Sequence, residues 1–337
     1  MPVHTELLCD IMDTVFESSD QFTNFYGRSK HLCDAYDSLK RKYGHVSDSA
    51  YQYRFEQFKN RLQAIDIYFE PIVKFSRHAH KFNIWGVEAL ARIDNRIPVD
   101  IFQVAELWGV EFQTELDIYV LDKALETFRA CAHRENMQAD NEIIPISINV
   151  YPNTIMRKNY RKVLFRNLKK YRIDGENLIL EISEKDILRV SGENQNAIDE
   201  FLKAKKELKE ANVRLAIDDF GVGHSSLARM LQLNPDFIKI DREVLLDGSE
   251  IALTLIKTLI DIKNRIGQQM FRVIVEGLDE ETSKLVSLDS LVNEIGVEFI
   301  QGYLIDKAKP SIMRRLPKQK YRELLDLLNW ITDEDQE

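Results

Sequence analysis

The sequence predicts a (β/α)8 barrel, an α/β fold like that of TIM barrels, with an antiparallel first strand and an N-terminal helical extension. Three observations support this fold class. Eight short apolar runs follow one another between residues 64 and 302. From the second run onward, the gaps are long enough for a crossover helix or carry a helical pattern. The gap at residues 74–81 is too short for the connection that parallel neighbours need, so the first two strands should be antiparallel.

Composition sets the broad class of the protein. The chain has 337 residues, 44% of them apolar and 30% charged, which is typical of a globular protein. It contains no apolar run long enough to span a membrane and no secretory signal pattern, so we expect a cytoplasmic protein without a membrane partner. Its three cysteines fit a reduced compartment. The net charge of −9 argues against binding DNA or RNA non-specifically.

Residues 1–62 are predicted to form a helical extension. Apolar residues recur at helical spacing in this region, and Tyr51, Phe55, Phe58 and Leu62 are the last such stripe. The extension carries no recognisable catalytic pattern. We expect it to pack on the main domain or to make a dimer contact, and the alternative is a segment that senses a partner.

The eight apolar runs are the predicted strands of a domain at residues 63–312. They cover residues 64–73, 82–93, 145–150, 178–183, 213–218, 236–241, 271–277 and 297–302. Turn-forming residues precede several of them, and residues 252–266 place apolar side chains on one helical face. Residues 313–337 are predicted to be a C-terminal helix and an acidic tail packed on the barrel.

Polar residues mark the carboxyl ends of the predicted strands, where barrel enzymes hold their active sites. In chain order they are Glu88, Arg92, Asn149, Glu181, Glu184, Asp218, Asp219, Lys239, Glu276 and Gln301. A single acid of this kind is more often a structural residue than a catalytic one. Several acids at one rim would repel each other strongly unless cations neutralised them.

Divalent cations would resolve this repulsion. Carboxylate and amide oxygens without Cys or His suit Mg²⁺ or Mn²⁺, and adjacent aspartates can serve a two-metal site. Two such ions activate water and stabilise both oxygens of an in-line phosphoryl displacement. Lys239 would orient or deprotonate the attacking water, and Arg92 would hold a phosphate oxygen. The residues therefore predict metal-dependent phosphoester hydrolysis and leave the substrate open.

An ordered set of short motifs over residues 64–312 resembles the EAL-domain phosphodiesterases, which hydrolyse cyclic di-GMP. The motifs are Glu88-Ala89-Leu90 with Arg92, Ser147-Ile148-Asn149, Glu181-Ile182-Ser183-Glu184, Asp218-Asp219-Phe220-Gly221, Lys239-Ile240-Asp241, Glu276-Gly277 and Gln301-Gly302-Tyr303. Each motif alone is weak, but their order makes the set specific. The family fold is a barrel with an antiparallel first strand, in agreement with the loop-length argument.

The resemblance implies roles for these residues. The implied metal ligands are Glu88, Asn149, Glu181, Asp218, Asp219 and Glu276. Lys239 would position the water with Gln301 completing the catalytic set, and Glu184 would anchor the loop at residues 221–226. Arg92, Glu70, Asp241 and Asp279 would lie on the substrate side. The implied product is linear pGpG, and the implied assembly is a homodimer.

The chain departs from the family pattern near the site. Glu70 replaces a usual Gln, Asp279 replaces a Glu, and Val222 and His224 alter the loop. None of these changes removes an implied metal ligand, so the sequence favours an active enzyme. The alternatives are a cyclic di-GMP receptor that signals through the helical N-terminus and, less favoured, a protein-interaction scaffold.

Overall fold

The computed structural model describes residues 60–108, 110–135, 143–185, 195–221, 233–248, 250–266 and 271–330. Three parts of the prediction lie outside these ranges: residues 1–59 of the helical extension predicted at 1–62, the loop residues Val222 and His224, and the acidic tail after Trp330. Within the described part of the chain, no helix is both long and apolar enough to cross a membrane.

Eight strands close into one barrel in chain order, as the sequence predicts. The strands are β1 (Asp66–Ser76), β2 (Lys81–Arg92), β3 (Ile146–Asn149), β4 (Leu178–Ser183), β5 (Arg214–Phe220), β6 (Phe237–Ile240), β7 (Arg272–Val275) and β8 (Phe299–Gln301). Consecutive strands from β2 to β8 are parallel. Their carboxyl ends therefore meet at one end of the barrel.

Strand β1 runs antiparallel to both of its neighbours, which confirms the loop-length argument. A single 3₁₀ turn, Arg77–Ala79, connects it to β2. His80 ends this turn with a left-handed backbone, at a φ of 46°. The reversal places the beginning of β1, rather than its end, at the same rim as the carboxyl ends of the other strands. Asp66, for example, pairs with Arg92 at the end of β2.

Helices pack around the barrel. They are α1 (Val99–Trp108), α2 (Val110–Arg134), α3 (Pro152–Met156), α4 (Lys158–Tyr171), α5 (Gln195–Glu210), α6 (Arg242–Asp247), α7 (Glu250–Ile266), α8 (Thr282–Leu285) and α9 (Lys318–Leu327), with a π-helical turn at Ser290–Ile295. The apolar stripe predicted over residues 252–266 falls within α7, where Ile256, Leu259 and Ile260 are buried. One hydrophobic core joins these helices to the outer faces of the strands.

The C-terminal helix closes the barrel beside the β1–β2 hairpin. Tyr321 of α9 stacks on Phe82 at a ring-centroid distance of 4.3 Å. Trp330 follows α9 and makes an edge contact with Phe75 at 6.4 Å. These aromatic contacts help to bury Phe75 and Phe82, which flank the exposed turn between β1 and β2.

Candidate active site

The barrel interior consists of an apolar layer with a polar layer above it. A compact apolar cluster contains Ile72, Ile179, Ala216, Phe237, Ile274 and Phe299. Each cluster member from β4 to β8 is followed, two positions later in the sequence, by a polar residue. These polar residues are Glu181, Asp218, Lys239, Glu276 and Gln301. Because alternate residues of a strand share a face, one side of each strand supplies both layers. The polar layer lies toward the carboxyl ends, where barrel active sites form.

Glu88 of β2 is the hydrogen-bonding centre of the polar layer. Its Oε1 accepts a 2.8 Å hydrogen bond from Nδ2 of Asn149, and its Oε2 accepts a 2.6 Å bond from Nε2 of Gln301. Lys239 donates to the same Oε2 at 3.2 Å. Three strands thus fix the position of one buried carboxylate.

Four carboxylates surround the ammonium group of Lys239, whose side chain is 0% exposed. The Nζ atom lies 2.6 Å from Glu276, 2.8 Å from Glu181, and 3.2 Å from both Asp218 and Glu88. A buried charge is tolerated when it is paired, and Lys239 is paired several times over. The excess charge in this cage is therefore negative.

The pKa values of the cage reflect burial and this crowding. Burial lowers the pKa of Lys239, but the surrounding acids outweigh it and hold that pKa well above its ordinary value. Burial and the Glu88 charge raise the pKa of Glu181. Burial raises the pKa of Glu88. The charge of Lys239 and the hydrogen bonds from Gln301 and Asn149 outweigh burial and hold that pKa below its ordinary value. The four acids therefore favour the ammonium form of Lys239.

The donor set fits a hard divalent cation. Oxygen atoms of Glu88, Glu181 and Asp218 lie within 4.8 Å of one another. Oε1 of Glu181 is buried and has no hydrogen-bond partner among the described residues, which leaves it available as a ligand. An all-oxygen set of this kind is the type that Mg²⁺ and Mn²⁺ prefer. The pKa values of Glu181 and Asp218 are raised, chiefly by burial, so a bound cation would also replace protons on these two acids.

Asp218 and Asp219 lie where the β5–β6 pairing is irregular. The register shifts between Ile217 and Phe220, and Asp219 has a left-handed backbone with a φ of 55°. Such irregularities break the alternation of a strand and are common beside active sites. Burial and the charge of Asp218 raise the pKa of Asp219 to about 6. The sequence places both aspartates at this strand end but does not reveal the shift.

Glu70 lies in the polar layer beside Glu88. It is two residues before Ile72 on the reversed strand β1, and it is directly opposite Glu88 in the β1–β2 register. Burial, followed by the Glu88 charge, raises the pKa of Glu70 to about 7, while Lys239 and Arg92 act in the opposite direction. The guanidinium of Arg92 also donates to the carbonyl of Ala91 at 2.9 Å. The structure therefore brings Glu70 to the site from the opposite strand direction.

Asp241 and Asp279 have structural contacts at the rim. The Asp241 carboxylate accepts a hydrogen bond from the backbone N–H of Glu243 and caps α6. The Asp279 carboxylate accepts hydrogen bonds from the backbone N–H groups of Glu281 and Thr282. Substrate contact by either aspartate remains a prediction.

Arg242 is a rim residue that the sequence motifs do not include. Its guanidinium donates to Oδ2 of Asp279 at 2.9 Å and to Oε2 of Glu281 at 2.7 Å. The available signal was its position directly after Lys239-Ile240-Asp241. Together with the backbone hydrogen bonds, Arg242 lowers the pKa of Asp279 to about 2.

Glu184 holds the beginning of the loop after β5. Its Oε2 accepts a 3.2 Å hydrogen bond from the backbone N–H of Gly221, and Glu184 is buried. The φ of Gly221 is 105°, a conformation that favours glycine. This contact is consistent with the anchoring role expected of Glu184. The rest of the loop, with Val222 and His224, lies outside the described residues.

Comparison with known proteins identifies the family of this barrel. The family model described as EAL domain matches residues 56–310. The chain belongs to the EAL domain family. The match covers the whole barrel and every site residue described above.

Curated relatives of this EAL chain share the domain but are longer. The chain is 28% identical over 269 residues to the cyclic di-GMP phosphodiesterase PdeA of Borreliella burgdorferi, covering 77% of this chain and 36% of the relative. It is 29% identical over 251 residues to the probable cyclic di-GMP phosphodiesterase PdeI of Escherichia coli, covering 72% and 28%. The chain thus spans about a third of the length of these two relatives.

Solved EAL structures share the fold. The cAMP-bound form of the EAL enzyme Bd1971 superposes with a TM-score of 0.61 at 20% identity, covering 94% of this chain and 77% of that chain. A complex of the PaMucR phosphodiesterase with c-di-GMP gives 0.59 at 21% identity, covering 77% and 97%. A calcium and cyclic di-GMP complex of Klebsiella pneumoniae BlrP1 gives 0.60 at 21% identity, covering 75% and 58%. At these identities the likeness establishes the fold.

Proposed function

We propose that this EAL chain is a phosphodiesterase that hydrolyses cyclic di-GMP to linear pGpG with Mg²⁺ or Mn²⁺ as cofactor. The observation that carries this proposal is the cage of four carboxylates around Lys239 at the carboxyl ends of the barrel strands. Relatives that share the domain are named as cyclic di-GMP phosphodiesterases, which supports the choice of substrate. The proposed assembly is a homodimer.

The proposed ligand set comprises Glu88, Asn149, Glu181, Asp218, Asp219 and Glu276. Divalent cations held there would activate water and neutralise the developing negative charge at phosphorus. The hydrogen bonds from Asn149 and Gln301 orient Glu88, and partners of this kind typically tune metal affinity. The raised pKa values of Glu181 and Glu276 agree with a cage that gains stability when cations replace protons.

Lys239 has a positioning role in this proposal. Its ammonium group is a hydrogen-bond donor, so it can hold the oxygen of a water molecule. Arg92 at the end of β2 supplies a cation for a phosphate oxygen of the substrate. Glu70 adds a carboxyl group to the same layer, and with a pKa raised to about 7 this group can donate when protonated and accept when ionised.

The reaction opens one of the two phosphodiester bridges of the cyclic dinucleotide. The water oxygen bonds to phosphorus as the bond between phosphorus and the 3′-oxygen breaks. A carboxylate of the cage takes the water proton, and the 3′-oxygen receives a proton from solvent. The product is a dinucleotide with one 5′-phosphate and one free 3′-hydroxyl group.

Nucleotide chromatography tests the proposal. Purified full-length chain is incubated with cyclic di-GMP and Mn²⁺, with EDTA and a Glu88→Gln variant as controls. Accumulation of pGpG in the metal-containing sample alone supports the enzyme. Tight binding of intact cyclic di-GMP without turnover would instead assign the receptor function, which Glu70 keeps open because it adds an acid opposite Glu88.

A further inference from the structure

The start of α1 presents an apolar face to solvent, made of Ile97, Val99 and Phe102. Ile97 is 60% exposed and Val99 is 51% exposed, while Phe102 is partly buried against the core. Ile97 and Val99 are two of the five large apolar residues that are exposed in the described part of the chain. Their clustering on one short segment marks an interaction surface.

The composition of α1 also indicates a partner. Seven of its ten residues are apolar in the sequence Val-Asp-Ile-Phe-Gln-Val-Ala-Glu-Leu-Trp. A surface helix usually needs about three to four apolar residues per two turns for its inner stripe. Ile101 and Ala105 already face the core, at 0% exposure each. By composition alone, α1 carries more apolar residues than an inner stripe of its length requires.

The N-terminal segment reaches the described structure at this face. Residues 60–63 are the last turn of a helix, and Leu62 within it is buried. Arg61 of the same turn forms a two-bond pair with Asp100 of α1, at 2.8 and 2.9 Å. A cavity of about 430 Å³ adjoins it, lined by Arg61, Ile93, Asp94, Arg96, Ile97 and Pro98. The chain that precedes Asn60 therefore begins next to the exposed apolar residues.

Leu62 is the last member of a stripe that continues into the preceding chain. Phe58, Phe55 and Tyr51 precede it at spacings of four, three and four residues. On a helix these positions share a face with Leu62. A helix that continued from Leu62 back through residues 51–59 would carry this apolar stripe next to Ile97 and Val99.

We propose that residues 51–63 form one helix that docks through Tyr51, Phe55 and Phe58 on the α1 face. The docked helix would lie beside the connection from β2 to α1. That connection is a tight turn in which Ile93 and Arg96 exchange two backbone hydrogen bonds of 2.9 Å, and it directly follows Arg92. This part of the inference rests on the proposed function. Through the turn, the N-terminal extension would be in contact with the end of the strand that carries Glu88 and Arg92.

Hydrogen–deuterium exchange of the full-length chain tests the docking without using substrate. Amides of residues 51–59 should exchange at least about tenfold more slowly than in an unstructured peptide. The double variant Ile97→Glu/Val99→Glu should lose this protection, as should Phe55→Ser/Phe58→Ser, which leaves the barrel untouched. Leu285→Glu is the matched control, because Leu285 is 50% exposed on another helix.

Several outcomes would overturn the docking. They are unprotected amides in the parent chain, protection that survives the double substitution on α1, and protection that disappears on dilution, which would assign the face to a second copy. Because the readout needs no turnover, an inactive protein with a protected segment would refute the proposed function and leave the docking intact.

Discussion

The Nζ atom of Lys239 donates a 2.8 Å hydrogen bond to Oε2 of Glu181, and both side chains are fully buried. Lys239 also lies within 3.2 Å of Glu88, Asp218 and Glu276. The pair therefore links the stability of the barrel to the chemistry of its polar layer. Removing the ammonium group would leave buried carboxylates facing each other without compensation.

Replacing Lys239 by Met should abolish hydrolysis of cyclic di-GMP and destabilise the metal-free protein. We expect a loss of about 3–5 kcal/mol in the free energy of unfolding, because one partner of a buried ion pair is removed. Mn²⁺ should restore more stability to this variant than to the parent, since the cation takes the place of the ammonium. Urea unfolding with EDTA and with Mn²⁺ measures both effects.

Lys263→Met is the matched control for that substitution. Lys263 is another buried lysine, paired at 2.5 Å with Glu298 away from the polar layer. Its loss should lower the free energy of unfolding by about 1–3 kcal/mol and leave turnover unchanged. Near-parental turnover by Lys239→Met, or an inactive Lys263→Met that is folded, would contradict the assignment.

Gln301→Ala should weaken metal binding without abolishing the fold. Nε2 of Gln301 donates a 2.6 Å hydrogen bond to Glu88, a proposed metal ligand. The substitution removes this bond and frees the carboxylate to rotate. Loss of such an orienting partner typically costs about 10–100-fold in affinity or activity. Calorimetric titration with Mn²⁺ provides the measurement, and an unchanged dissociation constant would remove Gln301 from the set.

Glu184→Ala should lower the turnover number by releasing the backbone of Gly221 at the start of the loop. The conservative variant Glu184→Gln keeps an oxygen that can accept the same hydrogen bond, so it should retain most of the activity. Steady-state kinetics of the two variants separates anchoring from charge. Equal losses in both would show that the negative charge, rather than the 3.2 Å hydrogen bond, matters.

Turnover should depend on the size of the divalent cation. Mg²⁺ and Mn²⁺ should support turnover, whereas Ca²⁺ should occupy the cage and inhibit. Calcium takes more ligands at longer distances and fits an octahedral two-metal arrangement poorly. Turnover measured with each ion, and with Ca²⁺ added to the Mn²⁺ reaction, tests this expectation. Activity with Ca²⁺ equal to that with Mn²⁺ would contradict it.

Asp117 of α2 should make stability fall as the pH rises. Burial raises its pKa to about 8 from an ordinary value of 3.8, against the opposing hydrogen bond from the backbone N–H of Tyr151. The folded protein therefore holds this proton more tightly than the unfolded chain. The contribution of Asp117 is fully present below about pH 4 and is lost as the pH approaches 8.

Asp117→Asn tests that dependence. The asparagine oxygen can accept the Tyr151 hydrogen bond without ionising, so the variant should lose the slope between pH 4 and 8. The difference should amount to at most about 5 kcal/mol at the upper end of this window. Melting curves at several pH values provide the measurement. Parallel pH profiles for parent and variant would refute the raised pKa.

The barrel could be predicted from the sequence because its determinants are local. Eight apolar runs, the lengths of the gaps and the short connection at residues 74–81 predict the strand order and the reversed β1. The same local pattern puts the polar residues toward the carboxyl ends of their strands, and their functional roles stay predictions. Apolar residues such as Phe237 and Phe299 stand two positions before Lys239 and Gln301, so one face of each strand supplies both layers.

The remaining features depend on contacts that spacing does not encode. The contact of Lys239 with four acids requires strands β2, β4, β5 and β7 to converge in space. The register shift at Asp218 and Asp219 is a property of the β5–β6 pairing. The Arg242–Asp279 ion pair depends on the turn after β7. Motifs therefore predicted the identity of the acids better than their partners.

A crystal structure of the chain grown with Mn²⁺ and cyclic di-GMP would show whether the polar layer binds two cations beside the substrate. Anomalous scattering from manganese should show two peaks roughly 3.5–4 Å apart in the polar layer. Glu88, Asn149, Glu181 and Asp218 should be among the ligands, with a substrate phosphate beside them and Arg92. Manganese peaks elsewhere on the surface, or an occupied nucleotide site without metal at these carboxylates, would contradict the account.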